Sequence, residues 1–267
     1  MKAGMDFGST FTKAVWKTDD IYRFASTQET SLEAILHELK NSGITQLNVA
    51  GIRYTPKYAL DFDVRTEEED PIQNEIRLQA AGAQKLLELN GTPLDEFLLV
   101  SVGTGTSYTY VSKDAVRKFP IGNSIGGGFI SGLSHVLEIN DYKDFARYAS
   151  EGQPLDTKIK DVLPVKEGTI EGEFVIANFG KATLSSSKKD ICTSIVHAVA
   201  ISTIKDVLVT GLIPDYATTQ VVFVGSTIAA NLTLKNMFAQ YTRLIGRTPY
   251  FPTHGEFALA MGAYHVT

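Results

Sequence analysis

The stretch Lys2-Ala3-Gly4-Met5-Asp6-Phe7-Gly8-Ser9-Thr10-Phe11-Thr12-Lys13 decides the fold of this chain. Residues 2–6 are typical of a short strand, and a Gly-Ser-Thr turn follows them. Extended runs over 11–16 and 21–25 predict two more strands, so the chain opens as a β-meander entered through a hairpin. The small residues of the turn leave its backbone N–H groups accessible to an anion, because no bulky side chain blocks the approach. The turn is therefore a candidate phosphate-binding loop.

Two charged residues flank this turn. Asp6 immediately precedes it and offers a carboxylate, a ligand that Mg²⁺ commonly takes in proteins, usually through water. Lys13 follows it and can neutralise phosphate charge. An ordinary hairpin with an exposed lysine is the alternative interpretation, since turns of this composition are common.

A second strand-turn-strand unit begins near Phe97. Residues 97–102 are apolar, Gly103-Thr104-Gly105-Thr106-Ser107 follows directly, and residues 108–112 resume an extended pattern. Five small residues supply amides and hydroxyls with little bulk, which suits a polyphosphate, and a bulged strand end is the alternative. Two such units predict a duplicated α/β architecture of the βββαβα type. We expect lobes over 1–95 and 96–267 that face each other across a cleft, with a nucleotide held between the turns.

A third glycine-rich segment, Gly122-Asn123-Ser124-Ile125-Gly126-Gly127-Gly128, precedes a helix predicted over 129–137. The unpaired N–H groups at a helix N-terminus attract phosphate, and glycines would leave them open. A flexible hinge between the lobes is the alternative, and both interpretations are compatible. No Gly-x-x-x-x-Gly-Lys-Ser/Thr sequence occurs, which disfavours a P-loop NTPase.

Apolar spacing predicts the remaining elements. Helices are expected over 31–40, 74–89, 183–209 and 231–240, strands over 47–51 and 220–224, and loops over 66–71 and 158–173. The strand ending at Val224 runs into a third small turn, Gly225-Ser226-Thr227. Glu75 falls on the first turn of its predicted helix, where most glutamates merely complement the helix dipole.

Composition excludes several classes of protein. The chain has 267 residues, 43% of them hydrophobic, with 25 Lys and Arg against 30 Asp and Glu and a net charge of −5. This mildly acidic balance argues against nucleic acid and anionic membranes as partners. The single Cys192 and five dispersed histidines disfavour a disulfide, a zinc site and a Cys-His nucleophile pair. A carboxylate at Asp6 interrupts any signal peptide and no stretch approaches a membrane span, so a cytoplasmic location is expected.

An ordered set of motifs carries a family resemblance. The set is Asp6-Phe7-Gly8-Ser9-Thr10 with Lys13, Glu75, Ser101-Val102-Gly103-Thr104-Gly105-Thr106-Ser107, Gly126-Gly127-Gly128, Ala177-Asn178-Phe179-Gly180, Val224-Gly225-Ser226 and Tyr241. In this order and spacing the chain resembles the type II pantothenate kinases, from its first strand to a helix near Gly262. The resemblance implies the duplicated actin-like (ribonuclease H-like) ATPase fold, with two lobes around a nucleotide cleft. It also implies a kinase that uses ATP and Mg²⁺ to phosphorylate the primary hydroxyl of pantothenate, the first step of coenzyme A biosynthesis.

The resemblance further implies roles for individual residues. The nucleotide and its metal would be held by Asp6, Phe7, Gly8, Ser9, Thr10, Lys13, Thr104, Gly105, Thr106, Gly127, Gly128, Phe129, Ile130, Ser131, Tyr142 and Ser226, with Asp6 near the metal. Glu75 would be the catalytic base that takes the proton of the acceptor hydroxyl as its oxygen attacks the γ-phosphorus. Pantothenate would contact Glu75, Thr104, Arg117, Gly122 and Tyr241. Tyr241 would reach the substrate of the neighbouring subunit, which implies a homodimer.

One position departs from the family pattern. The family usually has an arginine seven residues before the triple glycine, near the pantothenate carboxylate, and this chain has Phe119 there. A phenyl ring cannot pair with a carboxylate, but Arg117 or Lys118 could replace the arginine if the loop is shifted. Two alternatives stay open: a kinase of another small hydroxyl compound, either pantetheine-like or a sugar, and a nucleotide-binding regulator without transfer activity.

Overall fold

A computed structural model of the chain describes residues 1–8, 10–28, 32–50, 62–66, 70–166 and 171–266. Two five-stranded mixed sheets form its framework, and helices pack against both. Each sheet begins with an antiparallel meander of three strands and adds two parallel strands on the other side of the first one. The duplicated α/β architecture predicted from the two strand-turn-strand units is therefore confirmed.

The first sheet contains the N-terminal strands. They are β1 (Lys2–Phe7), β2 (Phe11–Thr18), β3 (Ile21–Gln28), β4 (Gln46–Ala50) and β5 (Asp63–Arg65), in the order β3-β2-β1-β4-β5. β1 is antiparallel to β2 and parallel to β4. The hairpin register places Asp6 directly opposite Lys13, so the two charged residues flank the turn on neighbouring strands. Helix α1 (Leu32–Asn41) buries its apolar stripe against this sheet.

The second sheet repeats this arrangement. The strands of a small two-stranded sheet come between its third and fourth strands in the sequence. The second sheet consists of β6 (Glu96–Val102), β7 (Thr106–Ser112), β8 (Val116–Asn123), β11 (Gln220–Val224) and β12 (Thr248–Tyr250), in the order β12-β11-β6-β7-β8. The small sheet pairs β9 (Thr157–Lys158) with β10 (Val175–Ala177). Sequence patterning did not predict β8, because Pro120, Gly122 and consecutive charges interrupt any apolar alternation.

Seven further α-helices follow α1 in the described part of the chain. They are α2 (Pro71–Leu89), α3 (Gly127–Val136), α4 (Tyr142–Glu151), α5 (Lys188–Thr210), α6 (Ser226–Ala229), α7 (Leu232–Leu244) and α8 (Ala258–Val266). The expectation of a helix from residue 183 is wrong at its start: the Oγ of Ser187 accepts from the amide of Asp190 and caps α5 there. Predictions that include Ser31, Gly51, residues 67–69 or residues 167–170 fall partly outside the described residues.

Helices α2 and α8 join the two sheets through unusually close backbone contacts. A Cβ at Gly82 of α2 would lie 1.7 Å from the Ala258 carbonyl oxygen, and a Cβ at Gly262 of α8 would lie 1.8 Å from that of Leu78. Glycine alone fits at both positions. Gly4 of β1 gives α8 the same close approach, with a hypothetical Cβ 2.1 Å from the Ala260 oxygen. The three contacts fix α2 relative to β1.

Helix α5 is the central core helix of the second half. It is long and apolar enough to pass as a membrane span by length and composition, contrary to the expectation that no stretch approaches one. Most of its most apolar window, 72%, is buried within the protein, as in the core helix of a soluble protein. Cys192 lies in this core, and burial raises the pKa of its thiol to about 11. The thiol is thus an apolar packing group rather than a reactive one.

Candidate active site

A cleft of about 1460 Å³ lies between the turn-bearing ends of the two sheets. It brings together most residues that the sequence singled out: Asp6, Gly8, Thr10, Lys13, Glu75, Thr104, Gly105, Thr106, Gly122, Gly127, Gly128, Ser131, Tyr142 and Ser226. These residues come from both sheets and from α2, α3, α4 and α6. Both small-residue turns therefore face one volume that is large enough for a nucleotide and a small acceptor.

Asp6 and Lys13 form a buried ion pair at the floor of the cleft. Lys13 Nζ lies 3.2 Å from Asp6 Oδ2, and Asp6 is 6% exposed. Burial raises the pKa of Asp6 above its ordinary value, and the ammonium of Lys13 opposes this rise. A buried carboxylate with a single cationic partner retains free oxygen lone pairs, and these can face a metal or a polar ligand in the cleft.

The N-terminus of α3 holds the Gly103–Ser107 turn, the second of the two small-residue turns. The amides of Gly127 and Gly128 donate to the carbonyl oxygens of Gly103 and Thr104, at 2.8 Å in both cases. The expectation that the triple glycine leaves these amides unpaired for phosphate is therefore wrong. The glycines instead permit contact: a Cβ at Gly127 would lie 2.4 Å from Thr227 Oγ1. The triple glycine shapes the second turn by packing against it.

The turn after β11 forms another part of the cleft wall, directly against the Gly103–Ser107 turn. Gly225 has φ of +116°, and a Cβ there would lie 2.3 Å from the Val102 carbonyl oxygen, so a larger residue is excluded. Thr227 donates its hydroxyl to the Gly103 carbonyl oxygen at 3.1 Å, which ties this turn to the Gly103–Ser107 turn. Tyr142 donates its hydroxyl to the Thr227 carbonyl oxygen at 3.3 Å and forms part of the wall.

Glu75 enters the cleft from the second turn of α2. The helix begins at Pro71 and is capped by Asp70, whose Oδ1 accepts from the amide of Ile72 at 2.9 Å. Glu75 is therefore not on the first turn, as the sequence predicted, and helix-start electrostatics do not account for it. Burial raises the pKa of Glu75, the Asp6 carboxylate raises it further, and Lys118 opposes both effects. A carboxylate with a raised pKa in a cleft is suited to act as a general base.

Strand β8 presents Lys118, and not Arg117, to the cleft. Successive residues of a strand face opposite sides. Arg117 and Phe119 share the side of Tyr216: the Arg117 guanidinium donates to its hydroxyl at 3.0 Å, and the Phe119 ring packs edge-on 5.3 Å from its ring. Phe119 is 5% exposed and belongs to the core, reaching the cleft wall with only part of its surface. Lys118 is exposed in the cleft and forms no ion pair with a described residue.

Five of the predicted site residues do not bring their side chains to the cleft, and one is not described. Phe7 and Ile130 are buried in the cores, Phe129 packs against the same core as Ile130, and Arg117 lies outside. Tyr241 also lies elsewhere. Ser9 falls outside the described residues.

Tyr241 belongs to a buried polar chain. Its hydroxyl is hydrogen-bonded to Nε2 of His197, whose Nδ1 is bonded to the carboxylate of Asp156. Asp156 also accepts from the amide of Phe179 at 2.7 Å. Burial, together with the charges of Asp156 and Glu173, raises the pKa of Tyr241 to about 12. Within one chain this tyrosine is therefore a neutral, tightly held hydroxyl away from the nucleotide cleft.

Sequence reasoning assigned no role to several residues of the cleft wall. Gln79, Ser101, Asn123, Asn140, Asp141, Lys143 and Glu256 all line it. Gln79 had a usable signal, since it lies one helical turn after Glu75 on the same face. Asn123 forms part of the glycine-rich segment, and its side chain ties that segment to Ser202 and Asp206 of α5 at 2.6 and 2.9 Å. Glu256 had no sequence signal.

The residues around Asp6 fit a magnesium ion held mainly by a nucleotide. A Cβ at Gly8 would come within 2.9 Å of the Phe11 carbonyl oxygen, so only glycine fits beside the Asp6 carboxylate. No group of three or more His, Cys, Asp or Glu that could bind a metal occurs in the described part of the chain. Mg²⁺ commonly takes one or two carboxylates and completes its shell with water and phosphate oxygens.

The fold places the chain among proteins of the actin-like ATPase fold, two lobes around a nucleotide cleft. A solved structure that shares this fold is the activator of the 2-hydroxyisocaproyl-CoA dehydratase from Clostridium difficile with bound ADPNP. It superposes with a TM-score of 0.63 at 18% identity, covering 98% of this chain and 92% of that one. At this identity the likeness concerns the fold alone.

The chain belongs to the Fumble family, whose sequence profile matches residues 83–265. It is 29% identical over 282 residues to a type II pantothenate kinase of Staphylococcus epidermidis, with both chains covered completely. It is 28% identical over 281 residues to a type II pantothenate kinase of Staphylococcus aureus, with 100% of this chain and 99% of that one covered. The resemblance identified from the motifs is thus confirmed across the full length.

Proposed function

We infer that this protein is a pantothenate kinase: it transfers the γ-phosphoryl group of ATP to the primary hydroxyl of pantothenate. One observation carries the inference. Glu75, the Asp6–Lys13 pair and the two small-residue turns line a single cleft, although they come from opposite halves of the chain. A phosphoryl transfer needs these parts together: donors for the phosphates, a cation to balance charge and a base for the attacking hydroxyl.

The nucleotide phosphates are bound by the two turns. Lys13, already fixed by Asp6, balances charge on the phosphates, and the turn at Thr104 supplies backbone and hydroxyl groups. Asp6 would hold Mg²⁺, which when bound neutralises charge on the β- and γ-phosphates. Tyr142 and Ser226 line the cleft around the turn after β11, and we assign them to the nucleoside.

Glu75 acts on the acceptor. Its carboxylate takes the proton of the primary hydroxyl as the hydroxyl oxygen bonds to the γ-phosphorus and the bond from that phosphorus to the β,γ-bridging oxygen breaks. Its raised pKa makes it a stronger base than an ordinary glutamate while leaving it ionised above that pKa. ADP leaves with the electrons of the broken bond, and the proton remains on Glu75 until solvent takes it.

Lys118 supplies the cation that the acceptor needs. Pantothenate carries a carboxylate, and an anion enclosed in a cleft without a partner costs several kcal/mol. Lys118 is exposed in the cleft, acts electrostatically on Glu75 and has no ion-pair partner among the described residues. It therefore takes the role for which the sequence offered Arg117, and Phe119 gives no reason to assume a lost acceptor site.

The two alternatives are less favoured. Full-length similarity to type II pantothenate kinases argues for pantothenate over a sugar or a pantetheine-like acceptor. A regulator without transfer activity would have no need to keep Glu75 with a raised pKa beside Asp6 and Lys13. We further propose a cytoplasmic homodimer organised as the lobes 1–95 and 96–267, in which Tyr241 contacts the partner's acceptor.

A test of acceptor identity uses purified protein with ATP and Mg²⁺. ADP release is followed with pantothenate, with pantetheine and with a panel of sugars, and the products are weighed by mass spectrometry. We expect ADP release with pantothenate and a product heavier by one phosphoryl group. Release stimulated by a sugar but not by pantothenate would replace the acceptor. ATP binding by calorimetry without turnover of any acceptor would favour the regulator.

A further inference from the structure

A hydrogen bond crosses from helix α2 to the centre of the second sheet inside the cleft. Gln79 Nε2 donates to Ser101 Oγ at 3.0 Å, and both side chains are partly buried in the cleft wall. Gln79 is four residues after Glu75, so both side chains project from one face of α2. Ser101 is two residues before Gly103, where the second phosphate turn begins. The bond therefore joins the helix of the base to the strand of the phosphate turn.

Strand pairing on both sides fixes the position of Ser101. In the middle of the second sheet it pairs with Ser107 of β7 on one side and with Val224 of β11 on the other. Both neighbouring strands meet a cleft-lining turn at this level, the 103–105 turn before β7 and Gly225 after β11. A side chain bonded to Ser101 thus takes its position from the two turns that surround the phosphates.

Helix α2 packs on α8 as far toward its N-terminus as Leu78, and the Gln79–Ser101 bond ties the cleft-facing side of the same helical turn to the second sheet. Its C-terminal half is locked by the close contact of Gly82 with α8 and by the apolar core around Ala83 and Leu86. Glu75 lies one turn beyond Gln79 toward the N-terminus, where Asp70 supplies a local cap. Gln79 is the residue nearest to Glu75 on this face that bonds to the second sheet among the described residues.

We propose that Gln79 is a positioning residue: its bond to Ser101 sets the distance between the Glu75 carboxylate and the phosphate turn. The inference rests on the proposed phosphoryl transfer and adds how the base is aligned. A misplacement of about 1 Å can cost as much as 10²-fold in rate, because the attacking oxygen must be in line with the γ-phosphorus. The bond itself takes part in no bond-making step.

The test is a double-mutant cycle on full-length protein. Gln79→Leu and Ser101→Ala each remove the bond and leave the side chain similar in size. We expect each to lower kcat about 10-fold while KM for ATP and for pantothenate changes less than about 3-fold. The double variant should lose no more than either single variant, since both delete the same bond. Ser101→Thr keeps the hydroxyl and should restore most of kcat.

Gln84→Leu is the matched control. It makes the same chemical change on the same helix, outside the cleft wall, and should leave kcat unchanged. Multiplied losses in the double variant, or losses confined to KM for pantothenate, would contradict the proposal, because they indicate independent roles or direct contact with the acceptor.

A readout that does not depend on the acceptor separates this proposal from the proposed function. Amide hydrogen exchange over residues 72–78 should be faster in Gln79→Leu and Ser101→Ala than in the wild type and in Gln84→Leu. If the wild type is inactive with pantothenate but the two variants still show this exchange pattern, pantothenate is not the acceptor and the positioning role stands. Unchanged exchange in both variants contradicts the positioning role whichever acceptor is used.

Discussion

Lys118 on β8 and Glu75 on α2 both line the cleft, and the positive charge of Lys118 acts on the ionisation of Glu75. Burial and Asp6 raise the pKa of Glu75, and the positive charge of Lys118 lowers it. The proposed base and the proposed partner of the acceptor carboxylate therefore interact electrostatically. The two residues come from a strand and a helix more than forty residues apart in the sequence.

Replacing Lys118 should change both binding and pH dependence. We expect Lys118→Met to raise KM for pantothenate about 10-fold or more, since charged hydrogen bonds contribute about 1.5–3 kcal/mol. Loss of the lysine also raises the pKa of Glu75, so the base is protonated at higher pH. The acid limb of the kcat profile should therefore move to higher pH. Steady-state kinetics across pH measure both effects.

Arg117→Met is the matched control for this prediction. Arg117 carries the same charge one residue earlier but lies on the Tyr216 side of β8. The Arg117→Met variant should have a KM for pantothenate and a pH profile close to those of the wild type. If Arg117→Met and Lys118→Met exchanged these behaviours, the assignment of Lys118 to the acceptor would be wrong.

Removing the base should slow chemistry without weakening nucleotide binding. We expect Glu75→Gln to lower kcat about 10²-fold or more, the usual contribution of a general base, while the Kd for ATP stays the same. Calorimetry and steady-state assays measure the two quantities. Glu88→Gln, an exposed position on the same helix, serves as the control. Full turnover in Glu75→Gln would assign the proton transfer to another group.

Removing the cation beside Asp6 should affect ATP first. We expect Lys13→Met to raise KM for ATP about 10-fold or more, because a charged contact to phosphate is lost. The pKa of Asp6, already raised by burial, rises further without the ammonium, so the carboxylate also becomes a poorer metal ligand at low pH. Lys17→Met, on the same strand but outside the cleft wall, is the control.

The close packing of α3 on the second turn can be tested with two glycines of one helix. A Cβ at Gly127 would lie 2.8 Å from the Gly103 carbonyl oxygen, whereas a Cβ at Gly132 meets nothing within 4 Å. Gly127→Ala should lower thermal stability and weaken ATP binding. Gly132→Ala should stabilise the protein by about 0.5–1 kcal/mol, the usual gain over glycine within a helix. Equal behaviour of the two variants would contradict the packing.

The sequence was sufficient for features that depend on local spacing. The position of Asp6 and Lys13 on either side of the first turn follows from two strands joined by a short turn, and the small-residue turns follow from composition. The ion pair between the two side chains was not predicted. Features that depend on tertiary contact were missed or misinterpreted. The Gly127 amide looked free because its partner, Gly103, lies far away in sequence. Periodicity alone gave Glu75 no role, and family resemblance was needed to select it.

Residue orientation on β8 illustrates a second limit. Arg117 and Lys118 have equal charge, and the choice between them depends on which side of the strand faces the cleft. The β7–β8 register shifts between Ser107 and Thr109, and Pro120 and Gly122 disturb the pattern that would otherwise reveal the buried side. The Gln79–Ser101 bond joins two elements whose relative placement depends on the α2–α8 contact, which no local pattern encodes.

Phosphorus NMR of one reaction mixture tests the central claim most directly. The mixture contains the protein, ATP, Mg²⁺ and pantothenate, and its spectrum is followed in time. We predict a new phosphomonoester resonance, coupled to a CH₂ group and growing in step with ADP. A spectrum in which ATP yields only inorganic phosphate, or in which ATP stays intact, would contradict transfer to the primary hydroxyl of pantothenate.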